Sequence, residues 1–175
     1  MAAAIAMAVQ PGPAHVHAQS LGPIVQVETD RGRFTIMLFR DAAPVSVAHV
    51  LGLIKAGFYD GQRIHRAIEG FVVQFGDPQT RDPKARDRWG RGDAASSGSP
   101  IGISETSSTR KHGAFAVGLA HRGEPAKADS QLYITLAPRP DLDGKYAVVG
   151  QVVDGTDVLP MLRVGDQIRR VYISE

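Results

Sequence analysis

The residues of this chain best placed to do chemistry fall within 57–78, which reads GFYDGQRIHRAIEGFVVQFGDP. Arg66 stands there among apolar neighbours, with Phe71 and then Gln74 downstream. A guanidinium stays charged at any working pH and carries its donors in a planar fork. Beside an aromatic wall and an amide, it can hydrogen-bond a polar atom of a ligand whose apolar part is held alongside. Period-two alternation places Ile64, Arg66 and Ile68 on one face of an extended strand and, after a turn at Gly70, Phe71 and Val73 opposite Val72 and Gln74. The segment alone equally admits an Arg in a surface ion pair, Phe71 in the core and Gln74 at a sheet edge.

Other chemistries drop out. The chain has no cysteine, so disulfides, zinc-thiolate sites, iron–sulfur clusters and thiol nucleophiles are excluded together. No pair among the six histidines has metal-ligand spacing on a helix or beside a carboxylate cluster, so no metal is expected. No Gly-x-Ser-x-Gly elbow occurs. Gly90-Arg91-Gly92-Asp93-Ala94-Ala95 matches a dinucleotide fingerprint by letter, yet neither an apolar strand before it nor an apolar helix after it supplies the phosphate-cradling geometry. Arg91-Gly92-Asp93 within it reads as chance in a turn-rich loop. The 20 basic and 18 acidic side chains are interspersed and leave a net charge of +2, a solvated surface and not a nucleic-acid stripe.

The elements that must position these residues are mostly short strands. Runs at 24–29 and 34–39, separated by Asp30-Arg31-Gly32-Arg33, read as a hairpin. Pro44 opens a segment in which Val47, Val50, Leu51 and Ile54 recur at helical spacing and Gly57 stands at the C-terminal cap, which predicts a helix over 44–55. Strands follow at 62–68, 71–75, 113–119, 131–136 and 146–152. Thr156 and Asp157 can start a second short helix through Leu162, distorted by Pro160. A last strand covers 169–173. Between 77 and 112 lies a loop rich in Gly, Pro, Ser, Asp and Arg, longer than compact domains usually carry. This order predicts a mainly β antiparallel barrel or sandwich in one domain, 23–175. Residues 1–22 read either as a cleaved export signal, with Val16-His17-Ala18 before Gln19 as the cut, or as a disordered tail. The first alternative implies a periplasmic or secreted protein and the second a cytoplasmic one. No apolar run is long enough to span a membrane.

The 57–78 segment resembles the signature of the cyclophilins, Phe-Tyr-Asp-Gly followed by His-Arg, Gly-Phe, Gln and Gly-Asp. Ser130-Gln131-Leu132-Tyr133-Ile134 and the stretch Leu142-Asp143-Gly144-Lys145-Tyr146-Ala147-Val148-Val149-Gly150 resemble two further motifs of that family in order and spacing. The resemblance spans about 24–173. It implies an eight-stranded antiparallel barrel capped by two α-helices, and peptidyl-prolyl cis-trans isomerase activity on proline-containing polypeptides that assists folding, without a cofactor and as a monomer. It makes Arg66 and Gln74 the catalytic pair, the guanidinium and a partner of the substrate backbone. Phe71, Val72, Gly118, Leu119, Tyr133, Leu142 and Tyr146 become the substrate-binding residues.

The chain departs from the family pattern in three places. Val117-Gly118-Leu119 replaces Met-Ala-Asn or Met-Ala-Arg and loses a polar side chain. Asp141 stands where cyclosporin-sensitive members carry Trp, which implies weak binding of that inhibitor. Tyr133 replaces Phe and adds a hydroxyl that narrows the pocket. These departures keep open a second reading, a cyclophilin-fold binding module or chaperone with little turnover.

Overall fold

The computed structural model describes residues 22–92, 96–107 and 109–174. The alternatives for 1–22 therefore concern a stretch that, Gly22 apart, lies outside the described residues, as do Asp93, Ala94 and Ala95 of the 90–95 loop. Eight strands form one antiparallel sheet: β1 (Ile24–Thr29), β2 (Gly32–Leu38), β3 (Arg66–Ile68), β4 (Val72–Phe75), β5 (Ala116–Leu119), β6 (Leu132–Thr135), β7 (Val148–Asp154) and β8 (Ile168–Ser174). Their order across the sheet is β3-β4-β6-β5-β7-β2-β1-β8. The sheet curls until its outer strands approach. Ile64 N–H donates to the Asp166 carbonyl at 2.9 Å and Ile168 N–H to the Gln62 carbonyl at 2.7 Å, so residues just before β3 bond the edge at β8.

Alternation fills the interior. Val25 pairs with Ile36 and Val27 with Phe34, all four buried, while Glu28 opposite Arg33 faces out. The one α-helix among the described residues, α1 (Pro44–Lys55), buries Val47, Val50, Leu51 and Ile54. Val50 and Ile54 meet Val25, Leu38, Phe75 and Val171 inside the barrel. Pro44 sits at the first helical turn, where a missing N–H costs nothing. Ala56 closes the helix; Gly57, at φ +67°, donates to the Ile54 carbonyl and Phe58 to that of Leu53, a Schellman ending.

Two expectations need correction. No second α-helix forms: 155–162 is a run of i→i+3 bonds with a 3₁₀ turn at Leu159–Met161, because Pro160 has no N–H to give the Thr156 carbonyl. Ile64 is fully buried while Arg66 and Ile68 are exposed. The alternation breaks at His65, where the chain leaves its partner β8 and begins pairing with β4 through a bond to the Gln74 carbonyl. Within the 77–112 loop, 3₁₀ turns form at Pro78–Arg81 and Pro83–Arg88, each with a proline in its first turn and an Asp, Asp77 or Asp82, accepting a backbone N–H.

Carboxylates tie this loop down. Ala43 offers no side-chain cap to α1; instead Glu105, from the loop, accepts Val45 N–H at 3.0 Å and Ser46 N–H at 2.7 Å. Asp129, buried, accepts from Ser97 and from Ser99 N–H, and bonds His49 of α1 at 2.9 Å. Asp77 accepts Gly90 N–H, which brings Gly90 against the His65 ring. Burial beneath that loop pushes the His65 pKa down to about 4, helped by the Arg66 charge and opposed by the Asp77 carboxylate.

Glu105→Ala removes both a helix cap and a negative charge at the positive end of the α1 dipole. It is expected to cost about 1–2 kcal/mol, read as a lower urea midpoint at unchanged slope. His65 is neutral in the fold down to about pH 4, whereas in the unfolded chain it takes up its proton near 6.5. The unfolded state therefore binds more protons between those values, and stability should fall as pH drops through that window. His65→Gln should flatten the decline in Tm between about pH 6.5 and 5, above the range where carboxylates titrate.

Candidate functional site

Cross-strand register assembles the site. Arg66 on β3 lies opposite Gln74 on β4, Gln74 opposite Tyr133 on β6, Tyr133 opposite Gly118 on β5, and Gly118 opposite Val148 on β7. Side chains at directly opposed positions share a face, so this row lies together on the outside of the barrel. The neighbouring row, Ala67, Val73, Ile134 and Val117, points inward to the core.

Above the outer row is a groove of about 240 Å³. Arg66, Phe71 and Gln74 line one side, with Val72 and Tyr133 beneath, and Leu142 and Tyr146 form the opposite rim with Ala120 and His121. The volume falls below the ~300 Å³ at which pockets for whole small molecules begin, and suits one compact apolar side chain with its backbone.

Arg66 is exposed, and its guanidinium lies 5.2 Å from the Phe71 ring centroid. Its only hydrogen bond among the described residues is a long one, 3.5 Å to Gln74 Oε1. The ion-pair alternative for Arg66 has no carboxylate to support it among those residues. Gln74 is oriented from behind, donating through Nε2 to Gln131 Oε1 at 2.8 Å. The opposite rim is a tight turn: Leu142 N–H donates to the Arg139 carbonyl, and Lys145 and Tyr146 N–H to the Leu142 carbonyl. Tyr146 stacks on His121 at 4.4 Å and meets Tyr133 edge-on at 5.8 Å. His121 donates to the Lys145 carbonyl and so pins that contact.

Tyr133 is buried, and burial, with Tyr146, Asp143 and Asp141 nearby, pushes its hydroxyl pKa well up. The group stays a neutral phenol. Its hydroxyl bonds His112 Nε2 at 2.8 Å. A Cβ on residue 118 would lie 2.2 Å from Tyr133 Cζ, so this tyrosine fits only over glycine. Asp141 forms a bidentate pair with Arg139, both bonds at 2.8 Å, and the Arg139 guanidinium stacks 3.8 Å from the centroid of Phe71.

The structure brings together Arg66, Phe71, Val72, Gln74, Tyr133, Leu142 and Tyr146, with Gly118 beneath Tyr133. Leu119 is not with them. It is fully buried in the core cluster, and its N–H is used by the Ala147 carbonyl. Parity explains this, because with Gly118 on the outer face residue 119 must point inward and residue 120 outward. Ala120, His121, His112 and Arg139 are the residues that sequence reasoning missed. Counting by two from Gly118 would have found Ala120; nothing local in sequence marks the other three.

Among the described residues no group of three or more His, Asp or Glu could hold a metal ion, and no helix is long and apolar enough to cross a membrane. Residues 24–174 match the family model described as cyclophilin type peptidyl-prolyl cis-trans isomerase/CLD. The chain is 34% identical over 140 residues to a peptidyl-prolyl cis-trans isomerase of Arabidopsis thaliana, covering 80% of each. It is 31% identical over 150 residues to one of Helicobacter pylori, covering 85% of each. Among solved structures it superposes on a cyclophilin type peptidyl-prolyl cis-trans isomerase of Cryptosporidium parvum with a TM-score of 0.73 at 23% identity, over 87% of this chain and 98% of that one, a likeness of fold. With its family model covering nearly every described residue and its relatives aligned over most of their own length, the chain belongs to the cyclophilin-type peptidyl-prolyl cis-trans isomerases and catalyses rotation about X-Pro bonds.

Proposed function

We propose that Arg66 supplies the catalytic hydrogen bond of this isomerase, with Gln74 holding the substrate backbone and the Phe71–Tyr133–Leu142 groove holding the proline ring. The observation that carries this reading is the single in-register row Arg66–Gln74–Tyr133 beside an apolar slot of single-residue size. An X-Pro bond resists rotation because resonance of the nitrogen lone pair keeps it planar, with a barrier near ~20 kcal/mol. A donor that meets the nitrogen only as it pyramidalises strengthens at the transition state and not before, so it raises the rate rather than merely the affinity. Arg66 is suited to that role because it has no carboxylate neutralising it among the described residues, and because stacking on Phe71 limits where its fork points. Gln74, held by Gln131, keeps its Oε1 side toward Arg66 and the groove.

The groove is open to solvent along the barrel surface, which fits an extended segment of a polypeptide lying across it. The same chemistry serves folding chains and mature proteins, and we assign the protein a part in folding on that ground. If the leader alternative for 1–22 holds, its clients are periplasmic or secreted.

The test is the cis-to-trans rate of a short Ala-Pro reporter peptide at 10 °C, where uncatalysed exchange takes minutes. Arg66→Ala is expected to lose roughly 3 kcal/mol of transition-state stabilisation, on the order of a hundredfold in kcat/KM, and Arg66→Lys most of that. An Arg66→Ala variant as fast as the intact protein rejects the assignment. Binding of the peptide with no acceleration by the intact protein would instead favour the binding-module reading. Because no step moves a proton, kcat/KM of the intact protein should stay within about twofold between pH 6 and 8.

A further inference from the structure

His112 lies outside the groove, contributes nothing to the chemistry above, and is 2% exposed. Its polar atoms nevertheless all end on groove-bearing elements. Nε2 bonds the Tyr133 hydroxyl at 2.8 Å, and the two rings lie nearly parallel, 9° apart. Nδ1 bonds Asp143 Oδ1 at 2.9 Å, and its backbone N–H donates to the same oxygen at 2.8 Å. Its carbonyl accepts Arg139 N–H at 2.7 Å. Tyr133 is the floor of the groove, Asp143 follows Leu142 in the rim, and Arg139 covers the outer side of Phe71.

We infer that His112 is a positioning residue for the isomerase groove, fixing the Tyr133 ring beneath the proline site and locking the rim turn to that floor. The inference rests on the groove being the proline site. A carboxylate can only accept, so Nδ1–H donates to Asp143, and in that tautomer Nε2 accepts from the Tyr133 hydroxyl. These bonds hold the Asp143 carboxyl below the ordinary carboxylate value. The space over Gly118 is filled by the ring itself, and the groove that the ring lines is open beside it. Without Nε2, a buried hydroxyl loses its partner, and the ring regains a bond by tilting its polar end into the slot where the pyrrolidine must sit. Loss of His112 is thus a loss of substrate positioning, which a buried histidine serving stability alone does not produce.

Two substitutions separate the ring nitrogens. His112→Asn places an amide near the Nδ1 position and can keep Asp143 while abandoning Tyr133; His112→Gln reaches the Nε2 position and can keep Tyr133. With the proline reporter peptide, His112→Asn is expected to raise KM about tenfold with kcat changed less than about threefold, the size of one lost hydrogen bond. The conservative His112→Gln should restore most of that KM. Adding Tyr133→Phe to His112→Asn removes the hydroxyl that tilts, so the double variant should bind peptide better than His112→Asn alone. A His112→Asn variant that is folded, judged by near-ultraviolet circular dichroism, and has an unchanged KM overturns the inference. Equal KM for His112→Asn and the double variant also overturns it. Should His112→Asn fail to fold, His112→Leu takes its place: a KM raised about tenfold and lowered again by adding Tyr133→Phe supports the inference, and an unchanged KM rejects it. Arg66→Ala, run alongside, loses kcat and not KM, so the assignment of Arg66 and that of His112 can fail independently.

Discussion

The groove of this protein depends on strand register. Arg66, Gln74, Tyr133, Gly118 and Val148 come from five strands and 83 positions of sequence, from 66 to 148, yet they lie in one line because each is directly opposite the next. A slip of one residue in any of these pairings would turn that strand's site residue into the core and its core residue into the groove. What prevents the slip is the adjacent inward row, Ala67, Val73, Ile134 and Val117, whose burial in the barrel fixes the register energetically. The groove face is therefore held in place by the apolar residues interleaved with it, and the bonds between 61–65 and 165–168 tie the segment leading into β3, the strand carrying Arg66, to the start of β8.

The polar groups around that row follow a consistent logic. Arg66 is positioned by an aromatic face and a weak amide contact, so its donors remain available, while the more strongly bonded groups sit one step further out: Gln131 behind Gln74, His112 behind Tyr133, and Asp141 on Arg139. The long loop over 77–112 is fastened by three acids. Asp77 and Asp129 act within or beside it, and Glu105 completes α1 in place of the missing cap at Ala43. The described parts of this segment are tied to the rest of the fold because their carboxylates satisfy charges or backbone N–H groups elsewhere.

Much of this was legible in the residues. The helix at 44–55 could be read to its ends, since Pro44 and Gly57 mark its limits and four apolar residues keep its period. The strands were found within a few residues, because alternation records burial directly. The second helix failed because Pro160 outweighs an N-cap residue at Thr156. Ile64 is buried while Arg66 is exposed because the chain changes partners at His65, which no local pattern records. Leu119 was assigned to the groove by resemblance, whereas its burial follows from simple parity with Gly118.

The sequence by itself determined the family, the strand content, the first helix and the identity of Arg66, Phe71, Gln74, Tyr133, Leu142 and Tyr146 as a set, because motif spacing and two-residue periodicity are local properties. Only the tertiary structure decided that Tyr133 requires Gly118 beneath it, that His112 joins that tyrosine to Asp143, that Arg139 stacks on Phe71, and that Glu105 caps α1 from 60 positions away. These contacts join residues whose separation along the chain has no period. Hydrogen bonding and steric fit act between atoms brought together by folding, and nothing in the local order of residues encodes which distant groups will meet.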